Sequence, residues 1–220
     1  MRKKSTIGIL GLGLFGTSVA RTLAESDIDV IAMDSNMDHV EEIADDIGVA
    51  VQGDFTKIDQ LTEAGFAECD EVVIAASEKL EDSILGILNL LSLEIEKITV
   101  KTKSRQYQEV LKKVGATRVI LPEIEMGDQV GKMLANPTVH ELMQLDSHYN
   151  IIEFPYREPW VGKDIIEIDY RNNYDTNIIA IKPADSEDFT IEFGPKYVVQ
   201  EDDIFIGVTT DEGMNQLLNS

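Results

Sequence analysis

The chain has 220 residues, 43% of them hydrophobic and 27% charged, a composition that suits one ordinary soluble domain plus a smaller one. Its 41 acidic and 19 basic side chains leave a formal charge of −22, which argues against a nucleic-acid partner, because neutralising phosphates takes lysine and arginine. A single cysteine, Cys69, excludes an internal disulfide and a cysteine-cluster metal site and fits a reducing cytoplasm, and no apolar run reaches the ~20 residues that span a bilayer.

The chain starts with the basic Met1-Arg2-Lys3-Lys4, but glycines interrupt the run from Ser5 to Leu14, so it reads as a first strand and not as a signal peptide. That strand ends in Gly11-Leu12-Gly13-Leu14-Phe15-Gly16, and a helical pattern follows over Thr17 to Leu23. In such a G-x-G-x-x-G turn Gly11 permits the tight bend, Gly13 lets backbone amides approach a pyrophosphate, and Gly16 lets helix and strand pack closely. The new helix offers unpaired N–H groups and a positive dipole end, which suits a phosphate. A second strand, Ile28 to Met33, ends at Asp34, eighteen residues beyond Gly16, where a carboxylate can accept hydrogen bonds from both ribose hydroxyls. Glycine turn and acid together predict an adenine nucleotide.

The alternation continues. A helix over Asn36 to Ile47, with Asn36 as cap, precedes a short strand Val49-Ala50-Val51 that ends at Gly53-Asp54. Lys57 to Ala64 is helical, Glu71 to Ala75 is strand four, Leu80 to Leu91 is a strongly apolar helix and Lys97 to Lys101 is strand five. Ser104 caps a helix to Val114, and Arg118 to Leu121 is strand six, closed by Pro122. The prediction is an α/β fold, a Rossmann-like doubly wound parallel sheet over residues 1–124. Glu125 to Leu134 reads as a further helix, and Asn136-Pro137 as cap and first position of another over Thr138 to Leu145. Its apolar face of Val139, Leu142, Met143 and Leu145 needs a partner, so residues 125–145 are expected to be crossover and dimerisation helices.

Beyond residue 146 the texture changes. Ile151 to Phe154, Asn177 to Ile181, Phe189 to Ile191 and Asp203 to Val208 read as short strands split by turns, followed by a helix from Asp211 to Leu218. Residues 146–220 are therefore expected to form a small α+β ligand-binding domain. The charge is uneven: residues 1–144 carry 25 acidic and 14 basic side chains, residues 145–220 carry 16 and 5, and the bland reading is a solvated surface.

Catalytic groups do not accompany the turn. No tyrosine has a lysine four residues on, no G-x-x-x-x-G-K-[ST] loop exists, and no His/Asp/Glu spacing resembles a zinc site. His39 reads as a surface-helix residue, and His140 and His148 fall near the domain junction. A protein that senses a nucleotide fits better than one that turns it over. A small NAD-dependent oxidoreductase, or a free-standing sensor with another membrane partner, stays as the alternative.

With the glycine turn, Asp34, Gly53-Asp54-Phe55-Thr56, Ala64-Gly65-Phe66 and Val119-Ile120-Leu121-Pro122-Glu123 in place, the chain resembles the RCK (TrkA-N/TrkA-C) proteins, cytosolic regulatory subunits of Trk/Ktr potassium uptake systems, over essentially its whole length and most closely the Ktr type. The resemblance implies a non-enzymatic subunit, cytoplasmic and peripheral at the inner face of the membrane through a Trk/Ktr-type translocating partner. It implies dimers assembled into an octameric ring, ATP favouring flux and ADP disfavouring it, with NAD(H) as the nucleotide in some relatives.

The resemblance also assigns residues. It places Gly11, Gly13, Leu14, Phe15 and Gly16 at the phosphates, Asp34, Ser35 and Asn36 at the ribose, and Asp54, Phe55 and Thr56 beside the adenine. Ala76, Ser77 and Glu78 follow strand four where the nucleotide crosses the sheet edge; Lys101, Thr102 and Lys103 follow strand five, and Tyr107 lies a helical turn on. Glu123 matches an acidic position that helps hold a cation, Mg, Ca or Na, near the γ-phosphates at the dimer interface. Leucine stands at position 14 where the family often has an arginine that reaches the partner's γ-phosphate. In the second domain Ile165, Ile166, Tyr170, Arg171, Asn177, Ile178 and Pro195 match positions that bind cyclic di-AMP in some members. The residues alone allow plainer readings: Lys101 and Tyr107 as an ordinary surface pair, the isoleucines as core, and Arg171 paired with Asp169 or Asp175.

Overall fold

In a computed structural model the alternating apolar runs and helical patterns become two compact units, one ending at Glu125 and the other beginning at Met126; residues 5–76, 79–135 and 138–219 are described. The first unit holds strands β1 (Thr6–Leu10), β2 (Asp29–Asp34), β3 (Val49–Gln52), β4 (Glu71–Ile74), β5 (Ile98–Lys101) and β6 (Arg118–Ile120). They pair in the order β3-β2-β1-β4-β5-β6, every pairing parallel. Both faces are covered by α1 (Leu14–Glu25), α2 (Met37–Ile43), α3 (Ile58–Glu63), α4 (Leu80–Ser92) and α5 (Arg105–Val114), which is why the strands read as apolar runs and not as alternating ones. Leu10, Met33, Phe66, Ile74, Ile87, Leu90 and Val100 pack in one cluster, and Ile9, Ala20, Val30, Ala32, Val40 and Val73 in a second. Each fully buried aliphatic chain contributes roughly 1.5–3 kcal/mol. The strand order reverses between β1 and β4, and a ligand crevice at the carboxyl ends of the strands follows from that topology.

Several boundaries depart from the sequence reading. The first helix begins at Leu14, three residues early, because Gly13 itself is the cap, extended at φ −69° and ψ −178°. Asn36 caps α2 as expected, its side chain accepting from the Asp38 amide at 3.0 Å, whereas Ser104 precedes α5 without a capping side-chain bond. Helix α6 (Pro122–Ala135) starts at Pro122, whose fixed φ suits a first helical position and whose missing N–H leaves no donor unpaired there.

The predicted helix over Thr138–Leu145 is a strand. His140–Gln144 forms β7, pairing antiparallel with β8 (Tyr149–Pro155) across a register shift between Glu141 and Met143. The helical spacing of Val139, Leu142, Met143 and Leu145 suggested one buried face, yet Val139 alone of the four is buried. Backbone pairing with β8 outweighs local spacing in a run this short. Asn136 and Pro137, the predicted cap, lie outside the described residues.

The second unit continues with α7 (Ile165–Ile168), α8 (Tyr170–Tyr174), β9 (Thr176–Lys182), β10 (Ile204–Thr210) and α9 (Asp211–Asn219), its sheet running β7-β8-β10-β9. Phe189–Ile191 is not a strand; Thr190 makes a single bridge to Ile181. An aromatic core organises the unit, with the Trp160 and Tyr170 ring centroids 5.0 Å apart and Phe154 stacked on Phe205 at 5.6 Å. Buried Asp203 accepts from the Ala184 and Gln200 amides and the Tyr197 hydroxyl at 2.9–3.0 Å, tying down the long connection between β9 and β10.

Candidate nucleotide and ligand sites

The glycine turn is built as its spacing requires. Gly11 has φ +98°, and a Cβ there would come within 2.7 Å of the Ala76 amide nitrogen; one on Gly16 would come within 1.9 Å of the Gly11 carbonyl oxygen. Around Gly13 there is open space, so an approaching group meets backbone and not a side chain. The first turn of α1 carries no acidic residue and no side-chain cap, which leaves the helix's positive end uncompensated. These features fit a phosphate. Leu14, the first residue of α1, is 97% exposed.

Asp34 stands at the end of β2 with its side chain 12% exposed. The Leu12 amide donates to its Oδ2 at 2.6 Å and the Asn36 amide to its Oδ1 at 2.8 Å, so the carboxylate is fixed while lone pairs remain for a ribose. His39 Nδ1 lies 3.4 Å from Asp34 Oδ1, without hydrogen-bond geometry. The sequence placed His39 on a surface helix, and only the turn of α2 shows that it faces Asp34.

Gly11, Asp34, Ser35, Asp54, Phe55, Thr56 and Ala76 line one cleft of about 330 Å³, joined by Lys79 and Asp82, which the sequence reading missed. A signal for those two existed: they begin the helix after β4, on the far side of the switch point. The Thr56 amide and hydroxyl both donate to Asp54 Oδ1, at 2.9 and 2.6 Å, and the Asp54 amide donates to Gln60 Oε1 at 2.7 Å. The Thr56 hydroxyl is the main reason the Asp54 carboxyl titrates below its ordinary value. Asn36 caps α2 and does not line this cleft; Ser77 and Glu78 lie outside the described residues. Gly13 and Leu14 border a neighbouring hollow of about 460 Å³ with Arg21 and His39.

Lys101, 9% exposed at the end of β5, places Nζ 2.7 Å from Glu123 Oε1 and 5.5 Å from the centroid of the Phe15 ring. This pairing, more than anything else, holds the Glu123 carboxyl below its usual range. The sequence reading had given the two residues to different partners. Among the described residues no group of three or more His, Cys, Asp or Glu side chains is placed to hold a metal, and Glu123 already has a cationic neighbour in Lys101. Thr102 is buried, Lys103 is exposed beside Glu123, and Tyr107 is half-exposed on α5 and lines neither hollow.

In the second unit Ile165, Ile166, Tyr170, Arg171, Asn177, Ile178 and Pro195 line one hollow of about 620 Å³, with Asp169, Asn172, Thr176 and Phe193 completing the wall. Arg171 Nε donates to Asn177 Oδ1 at 2.8 Å and, among the described residues, pairs with neither Asp169 nor Asp175. Those acids accept from Asn172 Nδ2 and from the Thr210 hydroxyl. Both have positive φ, 49° and 46°, and bracket α8, which carries Arg171. Tyr170 belongs to the aromatic core, and its buried hydroxyl has no partner among the described residues; burial pushes its pKa far up.

Sheet order and glycine geometry define a doubly wound α/β protein with a site of dinucleotide type and an appended antiparallel unit. The chain belongs to the TrkA-N domain family, which matches residues 7–122. It is 32% identical over 209 residues to the Ktr system potassium uptake protein C of Bacillus subtilis (strain 168), covering 94% of each chain, and 29% identical over 204 residues to protein A of that system, covering 93% of this chain and 91% of the other. Among solved structures it resembles the GsuK channel, with a TM-score of 0.67 at 20% identity over 98% of this chain; the match spans 39% of the channel chain. The same channel bound to NAD gives a TM-score of 0.63 at 20% identity, again over 98% of this chain and 39% of the other. No helix among the described residues is long and apolar enough to cross a membrane.

Proposed function

We propose that this chain is a non-enzymatic, nucleotide-gated regulatory subunit of a Trk/Ktr-type potassium uptake system, acting at the cytoplasmic face of the membrane as dimers in an octameric ring. The observation that carries the proposal is a similarity to a potassium uptake protein that runs through both units, 94% of each chain, and not through the glycine turn alone. In this reading Asp34 fixes the ribose, the open N-terminus of α1 and the Lys101 ammonium hold phosphates, and the Asp54 side of the cleft takes the base.

ATP favours flux and ADP opposes it, because the two nucleotides bind unequally to two ring states; a tenfold difference corresponds to about 1.4 kcal/mol per site. Leu14 brings no charge to the turn, so telling ATP from ADP falls to Lys101. NAD(H) shares the adenosine half and is the second nucleotide to test. In the second unit, Arg171 in a hollow of mixed polar and apolar lining supplies a cation for a phosphate, and Ile165, Ile166 and Ile178 supply surfaces for a base. That chemistry suits cyclic di-AMP, held between two copies and lowering uptake.

The test is growth at low potassium of cells that lack their own uptake systems. The membrane subunit expressed with this chain is expected to restore growth and to copurify with it. Restoration by the membrane subunit alone to the same level, with no copurification, contradicts the proposal.

A further inference from the structure

We infer that His39 ties nucleotide binding to pH: its protonated ring competes with a ribose hydroxyl for Asp34, so that binding releases a proton. The inference rests on the nucleotide-binding reading and adds a second ionisable group to the ribose end of that site. It starts from the lone pairs of Asp34. The Asn36 amide takes one on Oδ1 at 2.8 Å and the Leu12 amide takes one on Oδ2 at 2.6 Å, which leaves one on each oxygen for the two hydroxyls. His39 Nδ1 is buried 3.4 Å from Oδ1 and makes no hydrogen bond among the described residues, although the side chain as a whole is 43% exposed. A buried ring nitrogen thus abuts the oxygen that one hydroxyl needs, while the ring's exposure lets it exchange protons with solvent.

The charges around the ring leave His39 and Asp34 to each other. From α1, Arg21 and Glu25 share its hollow; its own helix carries Asp38, Glu41 and Glu42, the last also on the hollow; β3, which α2 packs against, has no charged side chain. Arg21 is committed to Asp46 at 2.8 Å and to Glu42 at 3.5 Å. Among the described residues His39 is the one basic group within ion-pair distance of Asp34. Its two protonation states act oppositely on a ribose. A neutral imidazole can keep its proton on Nε2, so that Nδ1 accepts and Asp34 retains both free lone pairs. An imidazolium donates from both nitrogens, and a small turn of the ring gives Oδ1 a charge-assisted bond that a hydroxyl must displace. The added positive charge also attracts phosphates near Gly13, but that attraction runs through solvent and is screened over about 10 Å, so the contact at Asp34 prevails. Imidazole changes charge between about pH 5 and 8, which sets the range of the effect.

The test is calorimetric titration of the full chain, stripped of nucleotide, with ATP, 2′-deoxy-ATP and 3′-deoxy-ATP at about pH 8 and about pH 6, for wild type and His39→Gln. Comparing the two proteins at each pH cancels the proton that ATP's own terminal phosphate takes up. From the higher pH to the lower, wild type is expected to lose about fivefold more ATP affinity than His39→Gln. For one of the two deoxy nucleotides, the one without the hydroxyl that meets Oδ1, this excess should vanish. In buffers of different ionisation enthalpy, wild type should release more proton on binding ATP than His39→Gln does, as linkage requires. A merely structural His39 would shift all three nucleotides alike and release no extra proton. Equal pH dependence of the two proteins, tighter binding of wild type in acid, or an excess that persists with both deoxy nucleotides overturns the inference and leaves nucleotide binding standing. Failure of ATP, ADP and NAD to bind at either pH overturns the nucleotide reading with it.

Discussion

The two hollows of this chain are built on opposite plans. In the first unit the site is mostly backbone: a positive-φ glycine, a helix start without a cap, and a carboxylate fixed by the amides of Leu12 and Asn36. In the second, the hollow beside α7 and α8 is made by side chains, with Arg171 oriented by Asn177 and bracketed by two acids of positive φ. A backbone site tolerates sequence change around it but fails when a glycine gains a methyl group. A side-chain site depends on one or two residues and leaves the fold intact when they change.

Substitutions that break each plan should therefore differ in kind. The largest effect is expected from Gly16→Ala, whose methyl group meets the Gly11 carbonyl oxygen at 1.9 Å. Overpacking of this sort destabilises by about 3 kcal/mol, so thermal unfolding should shift down and nucleotide binding should disappear with it. If Gly16→Ala melts and binds like wild type, the close approach of α1 and β1 is wrong.

Asp34→Ala should weaken ATP and ADP roughly 100-fold by calorimetry with a smaller change in melting temperature, because two ribose contacts to a charged acceptor are lost. Unchanged affinities would remove Asp34 from the ribose. In the other unit, Arg171→Ala should weaken cyclic di-AMP about 30-fold and leave ATP affinity and melting temperature alone. An absence of binding heat with cyclic di-AMP in the wild-type protein would refute that ligand directly.

The smallest effect concerns Glu123. Lys101 holds its folded pKa below the unfolded value, so the pair contributes stability at neutral pH and loses it as pH falls through the lowered pKa. Because the Glu123 side chain is half-exposed, Glu123→Gln should lower the melting temperature only slightly at neutral pH. The difference should vanish in acid. A difference that grows toward acid pH would show that the pair does not form.

The same contrast governs what the sequence discloses. Glycine spacing and an acid at a strand end are written in the chain because they answer to backbone geometry, and six of the six parallel strands follow from apolar runs whose two faces are both covered. Contacts that depend on how helices turn are not written there. His39 beside Asp34, Lys79 and Asp82 at the cleft, and the Lys101–Glu123 pair each join segments whose rotation the sequence leaves open. The strand at His140–Gln144 failed as a helix for a related reason: its partner β8 is a property of the folded unit, not of the local spacing. The seven residues assigned to the second hollow do line it, yet Tyr170 does so from within the aromatic core, a role that spacing alone did not reveal.

In the proposed function the nucleotide cleft controls a potassium pathway. Potassium flux through liposomes carrying the Trk/Ktr-type membrane subunit and this chain tests it most directly, measured with ATP, with ADP and with Asp34→Ala. Flux several times greater with ATP than with ADP, and insensitive to either nucleotide in Asp34→Ala, is the predicted result. Equal flux under all conditions, with the chain bound to the membrane subunit, would contradict it.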